Sequence, residues 1–381
     1  MCLYTDALLE ALNQSCVVLE ESYLETHLKP TKFDNILYTD WINFLTIVDY
    51  FIKGIPLYRK IPQEIATLVA RINHAFQSNI QLNNFWELVK KAILIHNRQF
   101  IYYRRFLRRI RPKVIIEVVS YSSSRFTMNR LAKEMNIPTI ELQHGTMGKY
   151  HIAYNFKEKF PLDTFPDYVF TFGQYWKDNT RLPIKEDKVK VVGWPFFEDK
   201  VNYYKKNQLD KKDQSTILFI SQGTIGKELS KFAVELRDLL DREKYEIIYK
   251  LHPGEYDRWE VEYPWMINAG LKVIDENIQD MHHYFVQSDI QIGVYSTALY
   301  EGLAYNLKTI IVKLYGYHYV EDFVKESNIF ITDSVERAHD HIISYNNQTR
   351  LIDFSYFWVN DSLGRMIGLI DSITLRDKDE T

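Results

Sequence analysis

Two kinds of hydrophobic pattern follow one another along most of the chain. Short continuous runs of β-branched and aromatic residues, such as 113–120 and 215–223, are typical of strands buried inside a parallel sheet. Longer segments with apolar residues three and four positions apart, such as 123–136 and 226–243, are typical of amphipathic helices. The pattern therefore predicts an α/β protein with doubly wound, Rossmann-like sheets.

The alternation of strands and helices occurs twice, with a polar, lysine-rich segment between the two occurrences. We therefore predict an N-terminal α/β domain at 1–201, a linker at 202–214 and a C-terminal α/β domain at 215–350. Residues 351–381 are predicted to be a helical segment that packs back on the N-terminal domain. Two such sheets in sequence leave a cleft between them, where the two domains face each other.

The first part of the chain is less regular and richer in helical pattern. Short strands are predicted at 16–21 and 35–40, and helices at 62–79 and 84–111. The clear strand–helix alternation begins only after these segments.

The amino-acid composition excludes several classes of protein. The chain has 381 residues, of which 46% are hydrophobic and 25% charged, which is the balance of a folded globular protein. A net charge of -3 gives no reason to expect a nucleic-acid partner. The only cysteines, Cys2 and Cys16, exclude a disulfide scaffold and a multi-cysteine metal site. The sequence has no membrane-spanning stretch and no leader pattern, so we expect a cytoplasmic protein.

Ligands of parallel sheets bind where strands end, so the loops after strands are the places to look for chemistry. The first such loop carries Gln143, His144, Gly145 and Thr146. Glycine lets the backbone approach a ligand closely, and the imidazole can take a proton near neutral pH. We predict that this loop serves the acceptor side of the cleft. The alternative is a loop histidine that bonds only to backbone.

The loop that opens the second domain carries Ser221, Gly223 and Thr224. Its small residues and N–H donors suit a diphosphate, although the spacing does not match the dinucleotide fingerprint GxGxxG. The alternative is an ordinary tight turn.

A third loop carries Lys250, His252, Pro253 and Gly254. Proline favours an extended backbone conformation in the residue before it. In His252, this conformation would aim the ring into the cleft. There it can donate to a phosphate or act as an acid, and the alternative is a turn with an incidental histidine.

The fourth loop leads from Ser296 into a helix that begins at Thr297. Hydroxyls and free N–H groups at a helix start can bind an anion. Glu301 lies one turn further on the same face and can bind both hydroxyls of a ribose. The alternative is a helix cap followed by a solvated glutamate.

Three of these motifs resemble a known family. KLHP at 250–253 and STALYEG at 296–302 resemble the nucleotide-binding half of GT-B glycosyltransferases. The similarity is strongest to the branch that holds bacterial sialyltransferases, Kdo-transferring capsule enzymes and CDP-glycerol glycerophosphotransferases of teichoic acid synthesis. QHGTMGK at 143–149 resembles the HG loop of the last group. The resemblance covers 113–330.

The resemblance implies a metal-independent transferase without a cofactor. It would move a sugar or polyol phosphate from a nucleotide-activated donor, CMP- or CDP-linked, to an oligosaccharide or lipid-linked acceptor of a bacterial surface polysaccharide. His252 would contact or protonate the leaving phosphate, Ser296 and Thr297 would bind it, Glu301 would hold the ribose, and His144 would be the base.

Several alternatives stay open. Sialyltransferases generally use an aspartate base, and the acidic alternatives to His144 are Asp40 and Glu117. A UDP-sugar 2-epimerase would share the nucleotide pocket but needs further acids near the sugar ring. A non-catalytic sugar-nucleotide-binding protein of a polysaccharide assembly complex is the third reading.

The segment 104–113 carries six basic residues, and its apolar residues fall on one helical side. One interpretation is a surface helix whose apolar face packs on the sheet. The other is an interfacial helix that touches an anionic membrane surface, which would place the protein peripherally at the inner face of the plasma membrane.

Overall fold

The structure is a computed structural model. It describes residues 2–12, 16–22, 26–27, 29, 31–53, 60–207, 213–321, 329–344 and 354–376. Part of the predicted linker, at 208–212, and the predicted domain end, at 345–353, therefore lie outside the described residues.

The N-terminal part consists of helices and one small sheet. Strands β1 and β2 pair in parallel as a separate two-stranded sheet. Both predicted strands and both predicted helices are present, and helices α1 and α2 are additions that the sequence pattern did not predict. The elements are α1 (Asp6–Leu12), β1 (Val18–Glu20), β2 (Ile36–Tyr38), α2 (Asp40–Lys53), α3 (Gln63–Phe76) and α4 (Leu82–Ile110).

The basic helix α4 packs its apolar side into the protein. Tyr103 and Leu107 are buried in a cluster with Ile42 of α2 and with the helix that follows the first strand of the next sheet. Of the two interpretations of 104–113, the structure therefore shows a helix whose apolar face packs inward, but this face packs mainly on α2 and on that following helix where a sheet was predicted, and the helix ends at Ile110.

The first α/β unit is a four-stranded parallel sheet in the simple order β3-β4-β5-β6. The last helix of this unit continues to Lys206, so it occupies the beginning of the segment predicted as a linker. The elements are β3 (Ile115–Val118), α5 (Ser123–Glu134), β4 (Thr139–Leu142), β5 (Tyr168–Thr171), α6 (Gln174–Asp178), β6 (Val189–Val191) and α7 (Pro195–Lys206).

The second unit is a six-stranded parallel sheet in the order β12-β11-β10-β7-β8-β9. Its strand β7 lies between β10 and β8, so the loops after these three strands are neighbours at one edge. The elements are β7 (Ser215–Ile220), α8 (Gly226–Leu239), β8 (Tyr245–Lys250), α9 (Trp259–Glu262), β9 (Lys272–Ile274), α10 (Met281–Gln287), β10 (Ile290–Gly293), α11 (Thr297–Gly302), β11 (Lys308–Val312), β12 (Ile329–Thr332) and α12 (Val335–Ser344).

The C-terminal segment contacts both α/β units, and its final helix then packs on the sheet of the first unit. The indole of Trp176 donates to the carbonyl of Phe357 (2.9 Å), and that of Trp358 donates to the carbonyl of Tyr300 (3.1 Å). The final helix, α13 (Ser362–Arg376), packs Met366 and neighbouring apolar residues on the first sheet. One aromatic-rich core therefore holds the two units together.

Among the helices in the described ranges, none has both the length and the apolar composition required to cross a bilayer.

Candidate functional site

Loops from the two sheets meet across the cleft. A β-carbon placed on Gly145, after β4, would stand 3.8 Å from Thr297 Oγ1 at the start of α11. Further along the same loop, the ring of Tyr150 lies 4.7 Å from that of His318 and 5.7 Å from that of Tyr319. The first predicted loop of the N-terminal unit therefore faces the fourth predicted loop, which belongs to the C-terminal unit.

His144 is held in a cage of aromatic side chains. The Tyr4 hydroxyl donates to its backbone carbonyl (2.6 Å), and the Tyr121 hydroxyl lies 3.2 Å from Nε2. Burial, and secondarily the nearby His151, lowers the pKa of His144 to about 4. The ring is therefore neutral at physiological pH, and its Nε2 is in contact with the Tyr121 hydroxyl.

The neighbours of His144 in the loop have different environments. Gln143 is buried, and its side chain donates to the carbonyl of Gly145 (2.8 Å) and accepts from the N–H of Phe172 (2.8 Å). Gln143 thus supports the shape of the loop, whereas Thr146 is half-buried in it. An acceptor-side role for this loop stays a prediction.

The two acidic alternatives to His144 lie elsewhere. Glu117 is only 3% exposed, within β3, and accepts from Asn129 Nδ2 (2.8 Å). Burial raises the pKa of Glu117 to about 8. Asp40 is the first residue of α2, and its Oδ2 lies 2.9 Å from His27 Nε2. The contacts of both carboxyls are thus with parts of the N-terminal unit other than the His144 loop.

In the second unit, side chains of the loop after β7 form hydrogen bonds with the loops after β8 and β10. The Ser221 hydroxyl is buried, donates to Glu255 Oε1 (3.1 Å) and accepts from the Tyr249 hydroxyl (3.2 Å). The hydroxyls of Thr224 and Tyr295 are 2.5 Å apart. The buried Ser221 hydroxyl therefore holds the base of this loop in place, whereas Thr224 is exposed at the tip of the loop.

The loop after β8 fixes the orientation of His252. Its Nδ1 accepts the N–H of Gly254 (3.1 Å), and its own N–H donates to the buried Glu255 carboxylate (2.8 Å). Pro253 begins the 3-10 turn that these bonds cap. Because Nδ1 accepts a hydrogen bond, the neutral form of the ring carries its hydrogen on Nε2, where it can be donated to a ligand.

Two basic residues, Lys250 and Arg258, lie next to this loop, and their environments differ. Lys250 is buried and donates to the backbone of the next residue and to the Tyr256 hydroxyl, and burial lowers its pKa to about 8. Arg258, which the sequence analysis missed, donates to the carbonyl of Gly254 (2.9 Å). A β-carbon on Gly223 would stand 3.3 Å from Arg258 Nη2, so this guanidinium lies beside the β7 loop.

The start of α11 brings a hydroxyl and a carboxyl to the cleft. Ser296 caps the helix by accepting the N–H of Ala298 (3.3 Å). The Glu301 carboxyl is 14% exposed, and its Oε2 lies 3.7 Å from Nε2 of the buried His282. Burial raises the pKa of Glu301 to about 7 and lowers the pKa of His282 to about 4. His282, also missed by the sequence analysis, therefore faces Glu301 as a neutral ring at physiological pH.

Comparison with known proteins identifies the fold. No family model and no curated protein matches the sequence. Among solved structures, the UDP-GlcNAc 2-epimerase from Neisseria meningitidis bound to UDP-GlcNAc is similar at 11% identity. Its TM-score is 0.52, over 74% of this chain and 82% of that one.

The UDP-GlcNAc 2-epimerase from Methanocaldococcus jannaschii is similar at 15% identity, with a TM-score of 0.51 over 73% of this chain and 82% of that one. This chain has the GT-B fold. A wall teichoic acid polymerase, TagF, is a more distant neighbour, at 14% identity and a TM-score of 0.42 over 64% of this chain and 70% of that one.

In this GT-B fold, the predicted site residues form two groups joined by the β7 loop. One group contains His144 and Gly145 together with Thr297 and Glu301, and Tyr4 connects them. The Tyr4 hydroxyl bonds to the His144 carbonyl, and burial together with the Glu301 charge raises the pKa of Tyr4 to about 12.

The other group contains His252, Gly254 and Arg258, on the far side of β7. Between these described residues and the Thr297–Glu301 group, the structure records no direct contact. A ligand that reached both groups would therefore lie across the end of β7.

Within the described ranges, no three His, Cys, Asp or Glu side chains come together as metal ligands. A metal-free reaction stays a prediction.

Proposed function

We propose that this protein is a glycosyltransferase, or a polyol-phosphate transferase, with a CMP- or CDP-linked donor. It would extend a bacterial surface polysaccharide. The observation that carries the proposal is the close approach of two loops, one from each sheet: the loop with the neutral His144 and Gly145, and the helix start with Thr297 and Glu301. A transfer reaction has two substrates, and this arrangement lets one unit hold the acceptor while the other unit holds the donor.

The donor phosphate is assigned to the end of β7, between the loops after β10 and β8. Thr297, the Nε2–H of His252 and the guanidinium of Arg258 are hydrogen-bond donors available there. Preorganised donors of this kind stabilise the charge that develops on a leaving phosphate. Glu301 would accept hydrogen bonds from the ribose hydroxyls when its carboxyl is ionised.

His144 is assigned the role of general base toward the acceptor hydroxyl. With a pKa of about 4 it is a weak base in the free protein. A bound, negatively charged donor phosphate would favour the protonated ring and raise this pKa, since an opposite charge stabilises the charged form. Proton transfer would therefore be favoured only once the donor is in place.

The acceptor is proposed to be an oligosaccharide or a lipid-linked glycan. The cytoplasmic location, the peripheral position at the membrane and the domain limits at 215 and 350 belong to the same proposal. Closure of the two sheets over the donor would exclude water, so that transfer outcompetes hydrolysis.

The same site also supports a second candidate function, a UDP-sugar 2-epimerase. Glu301 has a pKa of about 7 and lies close to the His144 loop, so it can exchange a proton near neutral pH. An epimerase would use such an acid on the sugar ring itself and would need no acceptor.

Product analysis separates these functions. The purified protein would be incubated with CMP-, CDP- and UDP-linked donors, with and without oligosaccharide acceptors, and nucleotide release and sugar products measured. A transferase releases nucleotide in proportion to acceptor, an epimerase changes the donor sugar without acceptor, and a binding protein does neither. Glu301→Ala should abolish turnover, whereas His74→Ala, on the exposed side of α3, should leave it unchanged.

A further inference from the structure

Helix α2 carries its apolar residues on the outside. Its side toward α4 holds Ile42, Thr46 and Asp49, and the first two of these are buried. The opposite side exposes large hydrophobic residues at helical spacing: Trp41 (43% exposed), Phe44 (65%), Ile47, Phe51 (77%) and Ile52. A helix of a soluble protein normally shows the reverse arrangement. We call these five residues the α2 outer face.

Exposed arginines follow, along α4, the point where the α2 outer face contacts that helix. The ring of Trp41 contacts that of Tyr102 on α4 (6.5 Å between centroids). Arg105 and Arg109 follow Tyr102 by three and seven residues, so they lie on the same side of α4, and both are exposed. Arg108 is exposed beside them.

The two carboxylates of α2 do not oppose this positive charge. Asp49 accepts from the Tyr102 hydroxyl (3.1 Å) and lies 3.6 Å from an Arg98 guanidinium nitrogen. Asp40, at the helix start, is paired with His27 (2.9 Å). Both acids therefore have partners within the protein, and the border of the outer face is positive.

We propose that the α2 outer face inserts into the surface of an anionic lipid bilayer, with Arg105, Arg108 and Arg109 on the lipid headgroups. Aromatic residues on a helix that lies in the plane of the interface bury themselves at the boundary between headgroups and acyl chains. Arginines at the edge bind the negative headgroups. This proposal differs from the sequence-based idea in that α2 would be the inserting element and the basic segment would supply only the charge.

The inference deepens the peripheral membrane position proposed above, but it does not depend on the reaction and can be tested without a substrate. The full chain would be sedimented with vesicles of phosphatidylcholine alone and of equal parts phosphatidylcholine and phosphatidylglycerol. We expect binding to the second and little to the first. The double variant Phe44→Ser/Phe51→Ser should bind at least about tenfold more weakly. Phe160→Ser, an equally drastic change at a residue that is 46% exposed elsewhere, should bind like the wild type.

Arg105→Gln/Arg109→Gln should also weaken binding, by roughly fivefold for each arginine, and reduce its dependence on salt. Donor turnover in solution should be unchanged in all of these variants, because none of the residues lies in the cleft. Absence of binding to anionic vesicles, or equal binding by the Phe44/Phe51 variant, would overturn the proposal. It would also fail if the wild type were a dimer in solution that this variant converts to a monomer, since the outer face would then be an interface between two copies.

Discussion

Replacing Glu301 with glutamine should stabilise the protein at neutral and alkaline pH while it impairs nucleotide binding. The carboxyl is 14% exposed, and the groups around it are the neutral His282 and the hydroxyl of Tyr4. Because burial removes water from the carboxylate, its pKa rises from 4.5 to about 7.

The direction of the pH effect follows from proton binding. Between pH 4.5 and about 7, the folded protein keeps a proton on Glu301 that the unfolded chain has released. The free energy of unfolding therefore falls as pH rises through this interval and is constant above it. At about 1.4 kcal/mol for each pKa unit, the loss amounts to roughly 3 kcal/mol. Glutamine cannot ionise, so the variant avoids this loss.

The assay is urea unfolding of the wild type and of Glu301→Gln at about pH 5 and about pH 8. The stability of the variant relative to the wild type should improve by roughly 2.5 kcal/mol between the two conditions, because a part of the loss has already occurred at pH 5. Glu260→Gln, an exposed glutamate on α9, is the matched control and should show no such change. Parallel pH dependence of Glu301→Gln and wild type would refute the reasoning that Glu301 is a buried carboxyl.

Other expected outcomes concern catalysis and packing. His144→Ala should lower kcat by about a hundredfold or more with little change in donor affinity, because it removes a base; a loss confined to donor affinity would show that it is not the base. His252→Ala and Arg258→Ala should each weaken donor binding in calorimetry by about tenfold or more, since each removes a hydrogen bond to a charged phosphate; unchanged binding in both would place the phosphate elsewhere. Gly173→Ala should destabilise the protein by at least about 2 kcal/mol, because the added β-carbon would lie 2.3 Å from backbone atoms of the C-terminal segment. Gly368→Ala, with no atom within 4 Å, is the control and should be neutral or slightly stabilising in the same urea titration.

The two sheets could be predicted because buried parallel strands are continuous apolar runs. The segments that became β7, β8 and β10 are such runs, and the loops after them carry the predicted chemistry. The strand-end rule then locates loops such as those of His252 and Ser296 without any knowledge of contacts. The rule does not predict which side chains of such a loop face the ligand.

The missed features depend on contacts between distant parts of the chain. Helix α2 was not predicted, because apolar residues on both its faces hide the helical period. His282 lies on a seven-residue helix, and only the folded chain places it beside Glu301. Ser221 resembled a phosphate ligand, but its hydroxyl is taken by Glu255, 34 residues further on. Propensity and spacing carry no information on such pairings.

The central claim is that a cytidine nucleotide binds across the end of β7, between the loops of β10 and β8, and faces the His144 loop. Thermal unfolding with CMP, CDP, UDP and GDP tests it most directly, because a ligand at about one hundred times its Kd stabilises the folded state by about 2.7 kcal/mol. We predict that CMP or CDP raises the Tm of the wild type, with a much smaller effect on Glu301→Ala. The claim would be contradicted if neither cytidine nucleotide raised the Tm, or if Glu301→Ala responded as strongly as the wild type.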